Sequence, residues 1–347
     1  MHGFRRPIWL APRPLLLLAL LALLALLALH AGACAKHSPT DPAQTDGGSM
    51  LALSGSSLRV ADQSGLSRAS LQLAQVANTP YQIEWSTFVA GPPLLEALAA
   101  DALDIGGVGD TPPIFAQAAG APIRIVAVTE NSPQYEVILV ADKSPIHSAK
   151  DLRGKKVAFA KGSGAHHLLV AALRHEGLTM SDITAAYLTP NDAQPAFTNG
   201  DVDAWAIWDP YAANNLRHGA RKLLDGQGYI HGYGFQVSSE KSLKDPAKVA
   251  LLAEYLGRAK RAQAWGNAHR DAWALKYAEL TKLSPEVAHD MFEHYAPVYV
   301  PIDDQVENVQ QELADSFFEA GLISKRINVR DIFDKRFNVL FATDALR

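Results

Sequence analysis

Short β-rich runs alternate with helical stretches along most of the chain. Leu58 to Gln63 reads as a strand closed by the turn residues Ser64 and Gly65, and Tyr81 to Phe88 as a second strand. Leu94 to Ala100 is Leu- and Ala-rich and predicts a helix, with Pro92 and Pro93 suited to its opening turn. Leu103 to Val108 is a third strand, a helix begins at Thr111 with Pro112 and Pro113 behind it, and Ile123 to Val128 and Glu136 to Val140 are further β runs. A second cycle follows: strand Lys156 to Ala160, helix Ser163 to Glu176, a short strand Tyr187 to Thr189, and a buried strand Asp203 to Trp208 ending at Pro210. Beyond Ser238 the pattern turns helical, over Lys248 to Ala268, Ala272 to Leu280, Pro285 to Tyr295 and Asp303 to Gly321, the last with Gly321 as its C-terminal cap. Alternation of this kind predicts an α/β fold. The expected arrangement has two lobes, each a mostly parallel sheet flanked by helices. Residues 58–139 with 238–347 form one, and 140–237 the other. Crossings near Val140 and Val237 act as the hinge, and a ligand sits in the crevice between lobes.

The start of the chain sets the compartment. Arg5, Arg6 and Arg13 precede an unbroken Leu/Ala run from Leu15 to Leu29, which matches the roughly 7–15 residue core of a signal peptide and falls short of the roughly 20 residues that span a bilayer. Ala31, Gly32 and Ala33 supply small side chains for a peptidase directly before Cys34, an arrangement that resembles a bacterial lipobox. Residues 1–33 are therefore expected to be an export signal, and Cys34 the lipid-modified first residue of a protein in the periplasm or at the cell surface. Residues 34–57, rich in Ser, Thr, Asp and Gly, read as a flexible tether.

Composition narrows the chemistry. Cys34 is the only cysteine, so the folded part has no disulfide, no thiolate metal site and no Cys nucleophile. The formal charge is −4, and loss of the three leader arginines makes the remainder more acidic. Without a basic block, nucleic acid is not an expected partner. No His cluster stands at metal spacing, no Gly-x-Ser-x-Gly elbow appears, and Pro112 occupies the place of the third glycine in the one dinucleotide-like run. No cofactor and no metal are expected. What remains is a repeated design of strand, tight turn and helix start: Gly91-Pro92-Pro93, Gly109-Asp110-Thr111-Pro112-Pro113 and Lys161-Gly162-Ser163-Gly164-Ala165-His166. Helix starts expose unpaired N–H groups and the positive end of the dipole, which suits an anion, although any one of them taken alone reads first as plain capping.

Taken together, ordered segments resemble the aliphatic sulfonate-binding proteins of ABC importers. They are Phe88-x-Ala90-Gly91-Pro92 with Leu95-Glu96-Ala97-Leu98, Gly109 through Gly120, Glu136 through Val140, Lys161-Gly162-Ser163 with His166, and Asp203 through Tyr211. The resemblance implies the two-lobed periplasmic binding protein fold and a monomer that captures a small organic anion, an alkanesulfonate, for an inner-membrane permease with its ATPase. The family is similar to the nitrate-, bicarbonate- and taurine-binding proteins; a taurine, nitrate or sulfate-ester binder stands as an alternative, as does a pyrimidine-precursor enzyme on the same scaffold. Two departures are Gln63-Ser64-Gly65, where the family usually carries a Lys before the Gly, and a short stretch from Leu66 to Pro80.

A sulfonate never carries a proton near neutral pH, and its three oxygens only accept hydrogen bonds. The expected donors are Gln63, Ser64, Thr111, Ser163 and His166, with Gly91 admitting the ligand to the backbone. A carboxylate facing the anion would cost several kcal/mol. Asp110 and Glu136 are therefore expected to point to backbone amides, across to the other lobe, or to an amine on the ligand. Trp205 and Trp208 lie on opposite faces of their strand. Trp205 is assigned to the core, and Trp208, followed by Asp209, to the apolar wall of the site.

Overall fold

The computed structural model describes residues 53–342; the expected leader, Cys34 and most of the expected tether lie outside the described residues. In chain order the elements are β1 (Ser57–Gln63), α1 (Leu66–Leu73), β2 (Gln82–Phe88), α2 (Gly91–Ala99), β3 (Ile105–Gly109), α3 (Thr111–Ala118), β4 (Ile123–Glu130) and β5 (Glu136–Ala141). Then come β6 (Lys156–Phe159), α4 (Gly164–His175), β7 (Thr184–Tyr187), α5 (Pro190–Thr198), β8 (Ala204–Trp208), α6 (Tyr211–Arg217), β9 (Ala220–Asp225) and β10 (Tyr233–Ser239). The tail holds α7 (Glu240–Lys244), α8 (Pro246–Ala268), α9 (Arg270–Thr281), α10 (Pro285–His294), β11 (Val298–Val300) and α11 (Asp304–Glu319). Among the described residues no helix is long and apolar enough to cross a membrane.

Two mixed sheets result. The first has the order β11-β4-β10-β3-β1-β2 and the second β7-β6-β8-β5-β9. Within each, the neighbouring strands β1, β2 and β3, or β6, β7 and β8, run parallel. The strand that arrives from the other sheet is antiparallel to both of its neighbours: β5 lies between β8 and β9, and β10 between β3 and β4. The connections are residues 131–135 and 226–232. Val140 and Val237, where crossings were expected, lie inside β5 and β10. Leu53, expected in the tether, is 6% exposed and belongs to the core beneath the first sheet with Leu58, Val60 and Leu251.

Sequence chemistry accounts for the element boundaries near the crevice. Helices α2 and α3 begin with Pro92-Pro93 and Pro112-Pro113, whose fixed φ suits a first turn. Helix α2 packs so closely on β3 that a Cβ at Gly106 would stand 2.7 Å from Ala61 Cβ and 2.8 Å from Leu94 Cδ2, so glycine is required there. The lobes also meet outside the crevice. Ile114 of α3, Val170 of α4, and Leu313 and Phe317 of α11 form one apolar cluster, and on another flank Arg217 of α6 pairs with Asp290 of α10, Nη2 to Oδ1 at 2.6 Å.

The helical tail is tied to the first sheet through Asp104, whose side chain is fully buried. It accepts from the Arg59 amide at 2.8 Å, Arg59 Nη2 at 2.7 Å, Lys248 Nζ at 2.8 Å and Ser242 Oγ at 2.9 Å. Burial alone would raise its pKa, but the donors from Arg59, Lys248 and Ser242 outweigh it and lower the carboxyl to about 2. A depressed carboxyl pKa contributes stability above its unfolded value of 3.8 and loses it as pH falls toward 2. Asp104→Asn is expected to cost about 2–3 kcal/mol at neutral pH in urea unfolding, with the gap between variant and wild type closing as the pH is lowered from about 4 to about 2.

Candidate functional site

The carboxyl ends of β1, β3 and β8 and the starts of α2 and α4 surround a cleft of about 180 Å³. This is where open α/β sheets place their ligands. Of the residues expected there, Gln63, Ser64, Gly91, Ser163, Trp208 and Asp209 line it. The first sheet, the turn after β1 and the start of α2 supply the first three, and the second sheet and its helices the others. Among the described residues, no Lys, Arg or His lines the cleft.

The donors must therefore be neutral. Ser163 caps α4: its Oγ accepts from the His166 amide at 3.3 Å and donates to the Ala160 carbonyl at 2.7 Å. Its one hydroxyl proton is thus already directed at a backbone acceptor, and the expectation that it serves as an anion donor gives way to capping. The amides that follow, of Gly164 and Ala165, open the helix and have no acceptor within it. Helices α2 and α3 offer less, because prolines at their second and third positions remove N–H groups. Gln63 donates through Nε2 to the Gly107 carbonyl at 2.8 Å, which fixes its amide against β3.

Asn131 was absent from the sequence-derived set and is the clearest donor. It lies on the first crossing, is 9% exposed, and lines the cleft. Its Oδ1 accepts from the Ala296 amide at 2.8 Å, which orients the side chain, while its buried Nδ2 has no partner. Tyr135, Gln236 and Tyr295 also line the cleft and also escaped the sequence reading. No motif marks them: Tyr135 comes from the first crossing, and β10 and the end of α10 bring Gln236 and Tyr295 in from far along the chain.

Four expected residues lie behind the cleft wall instead of in it. Asp110 accepts from its neighbour Thr111 Oγ1 at 2.8 Å and faces His167 Nδ1 at 3.2 Å, so it reaches across to α4 of the other lobe, one of the directions open to it from sequence. Thr111 is fully buried, its hydroxyl taken up by that bond. His166 is fully buried, stacked on Phe159 with ring centroids 4.7 Å apart and edged by Phe317 at 5.3 Å. Burial, with the nearby charges of Lys161 and His167, drives its pKa down to about 3, so it is a neutral packing residue and not a cationic donor. Glu136 sits beneath the start of α4, where a Cβ on Gly164 would come within 2.0 Å of its Oε1. Burial first, and the charge of Asp110 second, hold its pKa well above the usual carboxylate range and favour the uncharged acid. Gly164 is thus a site residue that only its packing reveals.

Two carboxyls do reach the cleft, and both are restrained. Asp62 accepts from the amides of Ser67 and Arg68 at 3.0 Å each, occupying the donors at the start of α1; burial nonetheless raises its pKa to about 6. Asp209 accepts from the Ala213 amide at 2.9 Å and is raised to about 7, mainly by burial, with Asp290 adding to the rise and Lys222 opposing it. A carboxyl raised in the folded state favours folding below its unfolded pKa and loses that contribution as pH rises through the folded value. An anion in the cleft shifts both groups further toward the protonated form, so binding takes up protons. The affinity for a monoanion is expected to fall several-fold from about pH 6 to about pH 8, with Asp209→Asn flattening the profile. Calorimetry in buffers of different ionisation heat measures the proton uptake directly.

Comparison with known proteins places this architecture. Residues 93–228 match the family described as NMT1/THI5 like. A protein of Escherichia coli (strain K12) described as an aliphatic sulfonates-binding protein is 41% identical over 263 residues, spanning 75% of this chain and 82% of that one. The alkanesulfonate-binding protein SsuA of Xanthomonas axonopodis pv. citri, solved bound to MOPS, is 37% identical with a TM-score of 0.73, covering 81% of this chain and 99% of that one. The periplasmic aliphatic sulphonate binding protein SsuA of Escherichia coli is 38% identical with a TM-score of 0.71, covering 80% and 92%. With identity and fold extending over nearly the whole length of these relatives, the chain belongs to the family of aliphatic sulfonate-binding proteins.

Proposed function

We propose that this protein is the extracytoplasmic substrate-binding component of an ABC importer and captures organic sulfonates for uptake. The observation that carries the reading is a cleft between two lobes that no side-chain cation among the described residues lines, with an unpartnered buried donor, Asn131 Nδ2, beside the open start of α4. A sulfonate is a permanent monoanion with three acceptor oxygens, and such a site matches it: Asn131 and the Gly164 and Ala165 amides bond the oxygens, while Trp208 covers the first carbons of the chain. Gln63, Ser64 and Gly91 complete the wall from the first sheet. Residues on both lobes touch the ligand, so the ligand stabilises their closed arrangement, which the membrane permease and its ATPase then receive. The ligand leaves unchanged.

In a thermal-shift panel of alkanesulfonates, taurine, nitrate and sulfate on the purified protein, a sulfonate at a hundred times its Kd is expected to stabilise the fold by about 2.7 kcal/mol, and mass spectrometry to recover it intact. A panel in which nitrate or sulfate alone protects would remove the sulfonate reading. Hydrogen bonds to charged groups contribute roughly 1.5–3 kcal/mol, so Asn131→Ala is expected to weaken sulfonate binding roughly ten- to a hundredfold. Ser163→Ala is expected to lose about 1 kcal/mol of stability and little affinity.

The proposed cellular form is anchored to a membrane through a lipid on Cys34, on the strength of the three small residues before it and the apolar leader. Cys34→Ser should move the protein from the membrane fraction to the soluble one; equal partitioning of both forms would argue for export without a lipid.

A further inference from the structure

A second cavity, of about 540 Å³, adjoins the central cleft and shares Asp62 and Ser64 with it as walls. The central cleft, at about 180 Å³, is below the ~300–1,000 Å³ usual for ligand pockets and has room for a sulfonate head and a short stem. The adjoining space has a different chemistry. Trp85 of β2 and Leu280 of α9 line it from the first lobe, and Tyr211 of α6 faces them from the second. Tyr277, fully buried, adds a hydroxyl that has no hydrogen-bond partner. Arg68 of α1 is the one cation among the described residues that line it; its guanidinium makes no side-chain hydrogen bond or close ion pair there, and its charge acts at longer range on Asp62 in the shared wall.

We propose that this cavity is a tail subsite for aryl sulfonates: the ring lies among Trp85, Tyr211 and Leu280, and an acidic group at its far end pairs with Arg68. The inference rests on the sulfonate reading of the central cleft and adds to it the kind of tail selected. Aromatic walls contributed by both lobes grip a flat ring when the lobes close, and offset or edge contacts between rings add to the gain from burial alone. A guanidinium is suited to a terminal carboxylate because its paired N–H groups match the two oxygens. Placement matters too. A second negative charge in the central cleft would meet no cation, whereas at the end of a para-substituted ring it emerges beside one.

Three probes separate the parts: ethanesulfonate for the head, benzenesulfonate for the head and ring, and 4-sulfobenzoate for head, ring and terminal acid, each titrated calorimetrically into the exported protein. Benzenesulfonate is expected to bind about tenfold tighter than ethanesulfonate, and Trp85→Ala and Tyr211→Ala to reduce that ratio. 4-Sulfobenzoate is expected to gain several-fold more, the gain shrinking with added salt, and its ratio to benzenesulfonate to fall to about one in Arg68→Gln. Tight ethanesulfonate binding with no gain from the ring, or a carboxylate gain that survives in Arg68→Gln, would overturn the subsite and leave the sulfonate reading standing. Failure of all three probes to bind would overturn both.

Discussion

Everything in the central cleft follows from the fact that an anion there meets no side-chain cation among the described residues. Binding energy must then come from oriented neutral dipoles, and dipoles act only at hydrogen-bond range. Hence the close approach enforced at Gly164, where any side chain would collide with Glu136, and the prolines and hydroxyls that fix where each helix begins. The acids nearby are kept from opposing an anion in three ways. Asp62 is occupied by helix amides, Glu136 is buried toward its neutral form, and Asp110 is turned away to His167. A site of this kind is pre-organised, because each of its dipoles is held by a backbone that has already folded.

The same constraint makes the hinge part of the site. Each sheet takes in one antiparallel strand that arrives through a crossing, and the two crossings touch: the Asn131 amide donates to the Gly232 carbonyl at 3.1 Å. Gly232 holds φ at +77°, and a Cβ there would lie 2.5 Å from the Asn131 carbonyl oxygen, so the contact demands glycine on both counts. Asn131 therefore contributes its side chain to the cleft and its backbone to the hinge. On the proposed function, a ligand that bonds Nδ2 would couple directly to the segment that joins the lobes, which gives capture and closure a common physical link.

Fold class was legible in the sequence because several parallel strands, and the helices α2, α3 and α4 that follow three of them, announce themselves by local pattern, whereas α1, α5 and α6 do not. Ser163 and Asp303 were readable as helix starts, and the structure has both as N-caps. Elements whose local signals conflict were missed. Helix α5 carries Pro195 in its interior, and the short strand expected at Tyr187 to Thr189 falls instead at Thr184–Tyr187, followed by the start of that helix. Site residues divided the same way. A strand end or helix start can be found from spacing, so Gln63, Ser64, Gly91 and Trp208 were placed in the cleft. Which way a side chain at such a start turns depends on what packs behind it. Phe115, Phe159 and Phe317 enclose His166, and nothing near it in sequence announces two of those three rings. Asn131 carries no motif at all, being defined only by the crossing that brings it to Ala296.

A cleft of neutral donors also ranks anions by charge. Each added negative charge must lose its hydration without gaining a counter-ion, and an uncompensated buried charge costs several kcal/mol. A dianion such as sulfate therefore loses more on entering than a sulfonate of the same oxygen geometry. Raised pKa values at Asp62 and Asp209 strengthen the discrimination, because each further unit of negative charge must be met by protonating groups that are already close to titrating. Charge belonging to the ligand but distant from its head escapes this penalty only where a cation waits for it. Arg68, which lines the neighbouring cavity without a close ion pair, occupies such a position. On the proposed reading, selectivity for a monoanionic head and tolerance of a charged tail would arise from one arrangement, in which no cation among the described residues lines the cleft and one lines the cavity at its margin.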